Sequence, residues 1–230
     1  MSSPSRIRAV VFDFGGVLIT TITNQVGALA ATHAVPMTTM LEILLGPHES
    51  GQHPWHRAER GEIAVAAIQD ALQPWADPHR VTLRGDEIDA LLSGGGYTTV
   101  PEMNAKVTQL KRDGFITGLL TNTFAEFRPT MERDLHFPDF TQVVESFAVG
   151  SRKPEPRIYE IIRDLLGVEH CEILYLDDFA QNIATAQSFG WSTIHVTDPV
   201  ADAARIDEFV NARYATRRAF SQRTQYSPTK

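Results

Sequence analysis

Cysteine is almost absent from this 230-residue chain, in which Cys171 carries the only thiol. A single cysteine excludes an intrachain disulfide and a cluster of thiolate metal ligands, and it suits a reducing compartment. We expect Cys171 to be a small buried residue beside a strand.

Long apolar runs are also missing. The apolar run at residues 9–12 is interrupted by Asp13, so it is too short for the apolar region of a signal peptide. No stretch approaches the roughly 18 consecutive apolar residues of a membrane-spanning helix. We therefore expect a cytoplasmic protein with no membrane partner.

Basic residues are outnumbered, with 21 Lys and Arg against 28 Asp and Glu and a formal net charge of −7. A nucleic-acid-binding domain typically has a basic face, so this balance argues against a nucleic-acid partner. Residues 216–230 contain four basic residues and no acid, and we predict a mobile tail there.

Five short apolar runs, bounded by Gly or by polar residues, predict buried β-strands. They span residues 7–14, 115–120, 142–147, 172–176 and 192–196. Helical periodicity lies between them, as at residues 158–166 before Gly167. This alternation predicts an α/β fold with a doubly wound, Rossmann-like parallel sheet.

Residues 20–95 break the alternation. Helical patterns cover residues 25–34, 38–45, 62–72 and 86–92, with several prolines between them and no strand pattern. We predict a helical domain inserted at 20–95, which returns to the sheet at the glycines 94–96. The α/β core is then formed by residues 1–19 and 96–215.

Polar residues stand where the predicted strands end. Asp13 follows the first strand, Thr121 and Asn122 the second, and Asp177 and Asp178 the fourth, while Lys153 opens the helix after the third. Ligands bind beyond the carboxyl ends of strands in such sheets, so these groups are expected to converge.

The chemistry of this set is coherent. A carboxylate at Asp13 can act as a nucleophile if a cation offsets its repulsion from an anionic substrate. Asp177 and Asp178 can hold Mg²⁺, which prefers oxygen ligands. Thr121, Asn122 and Lys153 can donate to phosphoryl oxygens. The set predicts in-line phosphoryl transfer.

Four segments resemble the motifs of the haloacid dehalogenase (HAD) superfamily. They are 11–18 (VFDFGGVL), 119–122 (LLTN), 152–159 (RKPEPRIY) and 176–178 (LDD) with Asn182. The helical insertion resembles the family's C1 cap. Residues 59–63 (ERGEI) resemble the branch of the N-terminal phosphatase domain of soluble epoxide hydrolase.

The resemblance implies a role for each matched residue. Asp13 would form an aspartyl intermediate, and Thr121 and Lys153 would bind the phosphoryl group. Asp178, with Asp177 directly or through water, would hold Mg²⁺ together with one Asp13 oxygen. The substrate would be a small phosphorylated molecule, and the chain a monomer or homodimer.

Gly15 departs from the family pattern. Family phosphatases usually carry a second Asp there as general acid and base. The Gly15 carbonyl can still ligate the metal, but no carboxyl protonates the leaving group, and a general acid typically contributes about 10²–10⁴ in rate.

Three interpretations stay open because of Gly15. The first is a phosphatase acting on an easy leaving group, such as an acyl or anomeric phosphate. The second is a dehalogenase-like displacement, in which halide leaves without a proton. The third is a non-catalytic phosphate- and metal-binding regulator on the same scaffold.

A replacement proton donor is expected, if anywhere, in the cap. The candidates are His48, His53, His56 and Glu59, although the three histidines are more typical of a solvated Pro/Gly loop. We expect Trp55 and Trp75 to pack within the cap. Arg152 is equally compatible with an anion contact and with a structural role.

Overall fold

The computed structural model describes residues 7–47, 51–92 and 97–210. Its sheet has five parallel strands in the order β3-β2-β1-β4-β5. They are β1 (Ala9–Phe12), β2 (Ile116–Thr121), β3 (Gln142–Glu145), β4 (Ile173–Asp177) and β5 (Ser192–His195). The predicted doubly wound α/β fold is confirmed.

Helices cover both faces of this sheet because its central strand is apolar on both. Val10 and Phe12 of β1 pack with α6 (Pro101–Arg112) and α11 (Pro199–Val210). Ala9 and Val11 face the other way, toward α9 (Pro156–Leu166) and α10 (Ala180–Ser188). A strand alternates its side chains between faces, so a fully apolar run is suited only to a strand covered on both sides.

Between β1 and α6 the described chain contains helices and no strand. These are α1 (Thr23–Thr32), α2 (Met37–Leu45), α3 (Pro54–Glu59), α4 (Ile68–Ala76) and α5 (Gly85–Leu92), which share a hydrophobic cluster of their own. We call them the cap helices. The predicted boundaries at 19/20 and 95/96 stay a prediction, and the glycines 94–96 lie outside the described residues.

Several predicted elements differ from the structure at their ends. The third strand stops at Glu145, and residues 146–147 instead begin α8 (Ser146–Val149). The helical pattern at 62–72 becomes α4 preceded by a short 3₁₀ turn at Val65–Ala67. The remaining helix, α7 (Arg128–Asp134), lies between β2 and β3.

Three details of the sequence interpretation are wrong or fall outside the structure. Cys171 is exposed, because it lies in a 3₁₀ turn before β4 rather than in the strand. His53 and His56 are buried, because residues 54–59 form α3 rather than a solvated loop. His48 and the tail at 216–230 lie outside the described residues.

No single helix among the described residues is long and apolar enough to cross a membrane. The pair α1 and α2 reaches the necessary length and composition only together, and it is bent by 109°. Its apolar residues Val26, Leu29, Met40 and Ile43 are buried in the cluster formed by the cap helices.

His53 makes the stability of the cap helices dependent on pH. Its ring caps α3, since Nδ1 accepts a hydrogen bond from the Trp55 backbone N–H at 3.3 Å. Burial lowers the pKa of the imidazole from 6.5 to about 4. Between these values the unfolded chain binds protons better than the folded one, so acid destabilises the fold over this range.

We therefore expect the free energy of unfolding to fall by roughly 1–3 kcal/mol between pH 6.5 and pH 4 on account of His53. His53→Asn retains a capping acceptor but does not titrate, so its stability is expected to fall less. Urea unfolding of both proteins across this pH range measures the difference. Parallel pH profiles for the two proteins would contradict the assignment.

Candidate functional site

The site lies at the carboxyl edge of the sheet, where the strand register places acidic residues of adjacent strands side by side. Phe12 of β1 pairs with Leu176 of β4, so Asp13 and Asp177 occupy equivalent positions on adjacent strands. Phe12 also pairs with Leu119 of β2, whose strand ends at Thr121. Parallel pairing thus explains why groups far apart in the sequence meet here.

Lys153 joins two of the acids. Its Nζ lies 2.7 Å from Asp13 Oδ1 and 2.8 Å from Asp177 Oδ2, with the lysine side chain 1% exposed. Burial alone lowers the pKa of Lys153, but the charges of Asp13 and Asp177 outweigh burial and raise the pKa above its ordinary value. The ammonium therefore remains protonated between the carboxylates.

Asp13 is itself buried at this edge. Burial raises the pKa of Asp13 well above its ordinary value, Lys153 opposes the shift, and Asp177 and Asp178 add to it. The backbone N–H of Phe14 donates to Asp13 Oδ1 at 2.6 Å. The carboxyl group is thereby held in one orientation, and it lines the cavity described below.

Asp177 is engaged on all sides by the protein. Besides Lys153, its carboxylate accepts hydrogen bonds from the Tyr175 hydroxyl, the Phe179 backbone N–H at 2.7 Å, and Asn182 Nδ2 at 3.0 and 3.1 Å. Its side chain has no solvent exposure. This arrangement makes Asp177 a positioning group for Lys153, a role that the sequence motif alone did not indicate.

Asp178 is placed differently from its neighbour. Its Oδ1 is buried without a hydrogen-bond partner, and burial, with the adjacent Asp177 charge, raises its pKa to about 6. Carboxylate oxygens of Asp13, Asp177 and Asp178 all lie within 4.8 Å of one another. An unpartnered buried oxygen beside two further acids fits a hard cation.

Thr121 and Asn122 complete the polar end of the site, and both line the cavity. The Asn122 amide pairs twice with the Lys153 backbone, since Nδ2 donates to the Lys153 carbonyl at 3.0 Å and Oδ1 accepts from the Lys153 N–H at 2.8 Å. The Asn122 side chain therefore orients Lys153. Its expected contact with phosphoryl oxygens stays a prediction, as does that of Thr121.

A cavity of about 220 Å³ extends from these groups toward the cap helices. Its walls are mainly apolar: Ile22, Leu41, Leu45 and Leu91 lie on the cap side, and Phe14, Phe124 and Phe127 on the core side. Trp55 packs edge-on against Phe124, with ring centroids 5.0 Å apart. Trp55 thus both belongs to the cap core and lines the cavity, whereas Trp75 is partly exposed.

Of the cap residues considered as proton donors, His56 and Glu59 line the cavity and His53 does not. Glu59 is already engaged, because its carboxylate accepts from Trp55 Nε1 at 3.1 Å and from Arg152 Nε at 2.5 Å. The Glu59–Arg152 pair joins α3 to the loop that carries Lys153. Local sequence patterns could not indicate this pair, because its partners are 93 positions apart in the sequence.

The architecture and the motif positions agree with one family model, that of the haloacid dehalogenase-like hydrolases, which matches residues 7–190. The chain belongs to this family. The predicted family membership is confirmed.

Three curated relatives show the range of proteins to which this chain is similar. Acyl-CoA dehydrogenase family member 10 of Mus musculus is 31% identical over 84% of this chain and 18% of its own length. Bifunctional epoxide hydrolase 2 of Sus scrofa is 29% identical over 84% of this chain and 37% of its own length. Sesquiterpene phosphatase astK of Aspergillus oryzae (strain ATCC 42149 / RIB 40) is 25% identical over 88% of this chain and 96% of its own length. Haloacid dehalogenases are related as well.

The chain spans less than two fifths of the length of its mammalian relatives. Among solved structures, a HAD family enzyme from Bacteroides thetaiotaomicron, in complex with magnesium and inorganic phosphate, superposes with a TM-score of 0.61. It is 19% identical, and the match covers 84% of this chain and 96% of that one. This likeness shows a shared fold.

Gly16 and Gly15 provide a matched test of how the site is packed. A Cβ on Gly16 would lie 2.1 Å from Asp178 Oδ2, and Gly16 has a φ of +71°, whereas a Cβ on Gly15 meets nothing within 4 Å. We expect Gly16→Ala to lower the free energy of unfolding by about 1–3 kcal/mol. Gly15→Ala is expected to change it by less than about 0.5 kcal/mol. Denaturant unfolding measures both, and equal losses would contradict this packing.

Proposed function

We propose that this HAD-like hydrolase is a Mg²⁺-dependent phosphatase acting on a small phosphate ester with an apolar body. The observation that carries the proposal is the position of Asp13, Lys153 and Asp178 at the polar end of a mainly apolar cavity. The names of two relatives, a sesquiterpene phosphatase and a phosphoglycolate phosphatase, support the reaction class. The cavity volume of about 220 Å³ supports a small-molecule substrate.

In the proposed reaction, a carboxylate oxygen of Asp13 attacks phosphorus in line with the ester oxygen. The bond from phosphorus to the ester oxygen breaks, and that oxygen leaves with the electron pair. Lys153 and Thr121 stabilise charge on the phosphoryl oxygens. Water then attacks phosphorus and releases phosphate, which restores Asp13.

Asp13, the Gly15 carbonyl and Asp178 are the groups that would hold Mg²⁺, and the unpartnered Asp178 Oδ1 fits this role. When bound, the ion would reduce the repulsion between the carboxylates and an anionic substrate. Asp177 contributes by holding Lys153 in place, because its own oxygens are already hydrogen-bonded.

Gly15 sets the expected choice of leaving group. No carboxyl stands at this position to protonate a departing alkoxide, so the proposal favours substrates whose leaving group needs little help, such as acyl or anomeric phosphates. One chain supplies every side chain named above. The proposal therefore requires neither a dimer nor a nucleic-acid or membrane partner.

The first test is phosphate release from acetyl phosphate, p-nitrophenyl phosphate and a panel of small phosphate esters. We expect activity that needs Mg²⁺, is lost in EDTA, and falls at least 10³-fold in Asp13→Asn, because the amide is not a nucleophile. Arg157→Gln, a change at an exposed arginine outside the cavity, is the control.

Two other outcomes would contradict the phosphatase. Halide release from a 2-haloacid that persists in EDTA would indicate a dehalogenase. No turnover across the panel, with a melting temperature raised by Mg²⁺ and fluoroberyllate, would indicate a non-catalytic binding protein.

Gly15→Asp tests the missing acid directly. The open space beside Gly15 accommodates a side chain, so the variant is expected to fold. It should raise the hydrolysis rate of an alkyl phosphate by about 10-fold or more, and that of p-nitrophenyl phosphate much less, since only the poor leaving group needs a proton. Steady-state kinetics on the two esters give the ratio. An equal change for both esters would contradict the role assigned to position 15.

A further inference from the structure

A second buried cation faces the cavity besides Lys153. Arg152 is 5% exposed and lines the cavity, and its Nε donates to Glu59 Oε2 at 2.5 Å. Lys153 is held by Asp13 and Asp177 of the sheet, whereas Arg152 is held by a carboxylate of the cap. The two neighbouring cations are therefore anchored to different parts of the molecule.

The orientation of Arg152 is firmly determined. Glu59 is itself fixed by a hydrogen bond from Trp55 Nε1, so the carboxylate that binds Arg152 has little freedom. A second pair of opposite charges, Arg60 Nη1 and Glu155 Oε1 at 3.0 Å, joins the same cap segment to the same core loop. The Arg152 backbone N–H also donates to Glu155 Oε2 at 3.1 Å.

The outer half of the Arg152 guanidinium has no acceptor within the described part of the chain. Among the described residues, Arg152 makes one side-chain hydrogen bond, from Nε to Glu59, and its donors on Nη1 and Nη2 remain available beside a mainly apolar cavity. A guanidinium fork matches the two oxygens of a carboxylate or a phosphoryl group. A bound molecule with two such oxygens would therefore fit Nη1 and Nη2.

We propose that Arg152 is a specificity residue that binds a second anionic group of the substrate, either a carboxylate or a further phosphoryl group, through Nη1 and Nη2. This inference rests on the proposed phosphatase function, in which the reacting phosphoryl group lies against Asp13 and Lys153. Glu59 acts as a positioning residue. Because Glu59 offsets the charge of Arg152, recognition depends on the fork geometry, which a lysine does not reproduce.

The experiment compares butyl phosphate with two substrates of similar length, 4-(phosphonooxy)butanoate and butane-1,4-diyl bisphosphate. The wild-type protein is expected to show a higher kcat/KM for at least one of the two substrates with a second anionic group than for butyl phosphate. Arg152→Gln and Arg152→Lys are each expected to lower that preference about tenfold or more. Arg157→Gln, which alters an exposed arginine, should retain the wild-type ratio.

The pattern identifies the group that is recognised. A loss of preference confined to the butanoate assigns a carboxylate, and one confined to the bisphosphate assigns a phosphoryl group. An unchanged preference in the Arg152 variants, with all three substrates losing the same factor, would overturn the proposal, because Arg152 would then serve the reacting phosphoryl group.

Two further measurements separate this inference from its premise and from misfolding. The phosphatase proposal fails if the wild-type protein releases phosphate from neither acetyl phosphate nor p-nitrophenyl phosphate, whereas slow turnover of the three alkyl esters alone is what the missing general acid at Gly15 predicts. Binding can still test Arg152 without turnover. Calorimetry gives the affinities of Asp13→Asn and of the double variant Asp13→Asn with Arg152→Gln for the same three compounds. The affinity of each compound with a second anionic group relative to butyl phosphate then replaces the ratio of kcat/KM values. Because Arg152→Gln leaves Glu59 buried and unpaired, the double change Glu59→Gln with Arg152→Gln provides a neutral pair if the single variant does not fold.

Discussion

The contact of Lys153 with Asp13 and Asp177 is the interaction on which the rest of the site depends. Three charged side chains are buried at the edge of the sheet, where isolated charges are strongly unfavourable. The ammonium satisfies both carboxylates at 2.7 and 2.8 Å. Neighbouring polar groups hold this contact in place. The Asp177 carboxylate accepts from Tyr175 and Asn182, and the Asn122 amide accepts from the Lys153 backbone N–H. A buried pair of this kind contributes orientation more than stability.

The cap helices add a second constraint from the opposite side. Glu59 and Arg60 reach the loop at 151–155 through two ion pairs, and Glu59–Arg152 is largely buried. The loop that presents Lys153 is therefore braced by Asn122 from the sheet and by α3 from the cap. The walls of the cavity beyond this polar end are mainly apolar, and hydrogen bonds and charges act more strongly where apolar side chains displace water.

Gly15 and Gly16 show that adjacent glycines can serve different purposes. Gly16 is required by packing, because any Cβ there would collide with Asp178. Gly15 is not, since the space beside it is open. The absence of a carboxyl at position 15 is therefore not imposed by lack of room. Under the proposed function, the missing carboxyl bears instead on which leaving groups the site can serve.

The sequence by itself determined the parallel sheet and the strand-end residues, because a strand buried on both faces must be a continuous apolar run and its end must turn polar. Asp13, Thr121, Lys153 and Asp178 were all found in this way, and the structure places them around one cavity. Only the tertiary structure decided which groups Asp177, Asn122 and Arg152 bind, and that His53 and His56 are buried. These contacts join residues distant in the chain, and local patterns of residues carry no information about which distant side chain will pair with a buried donor or acceptor.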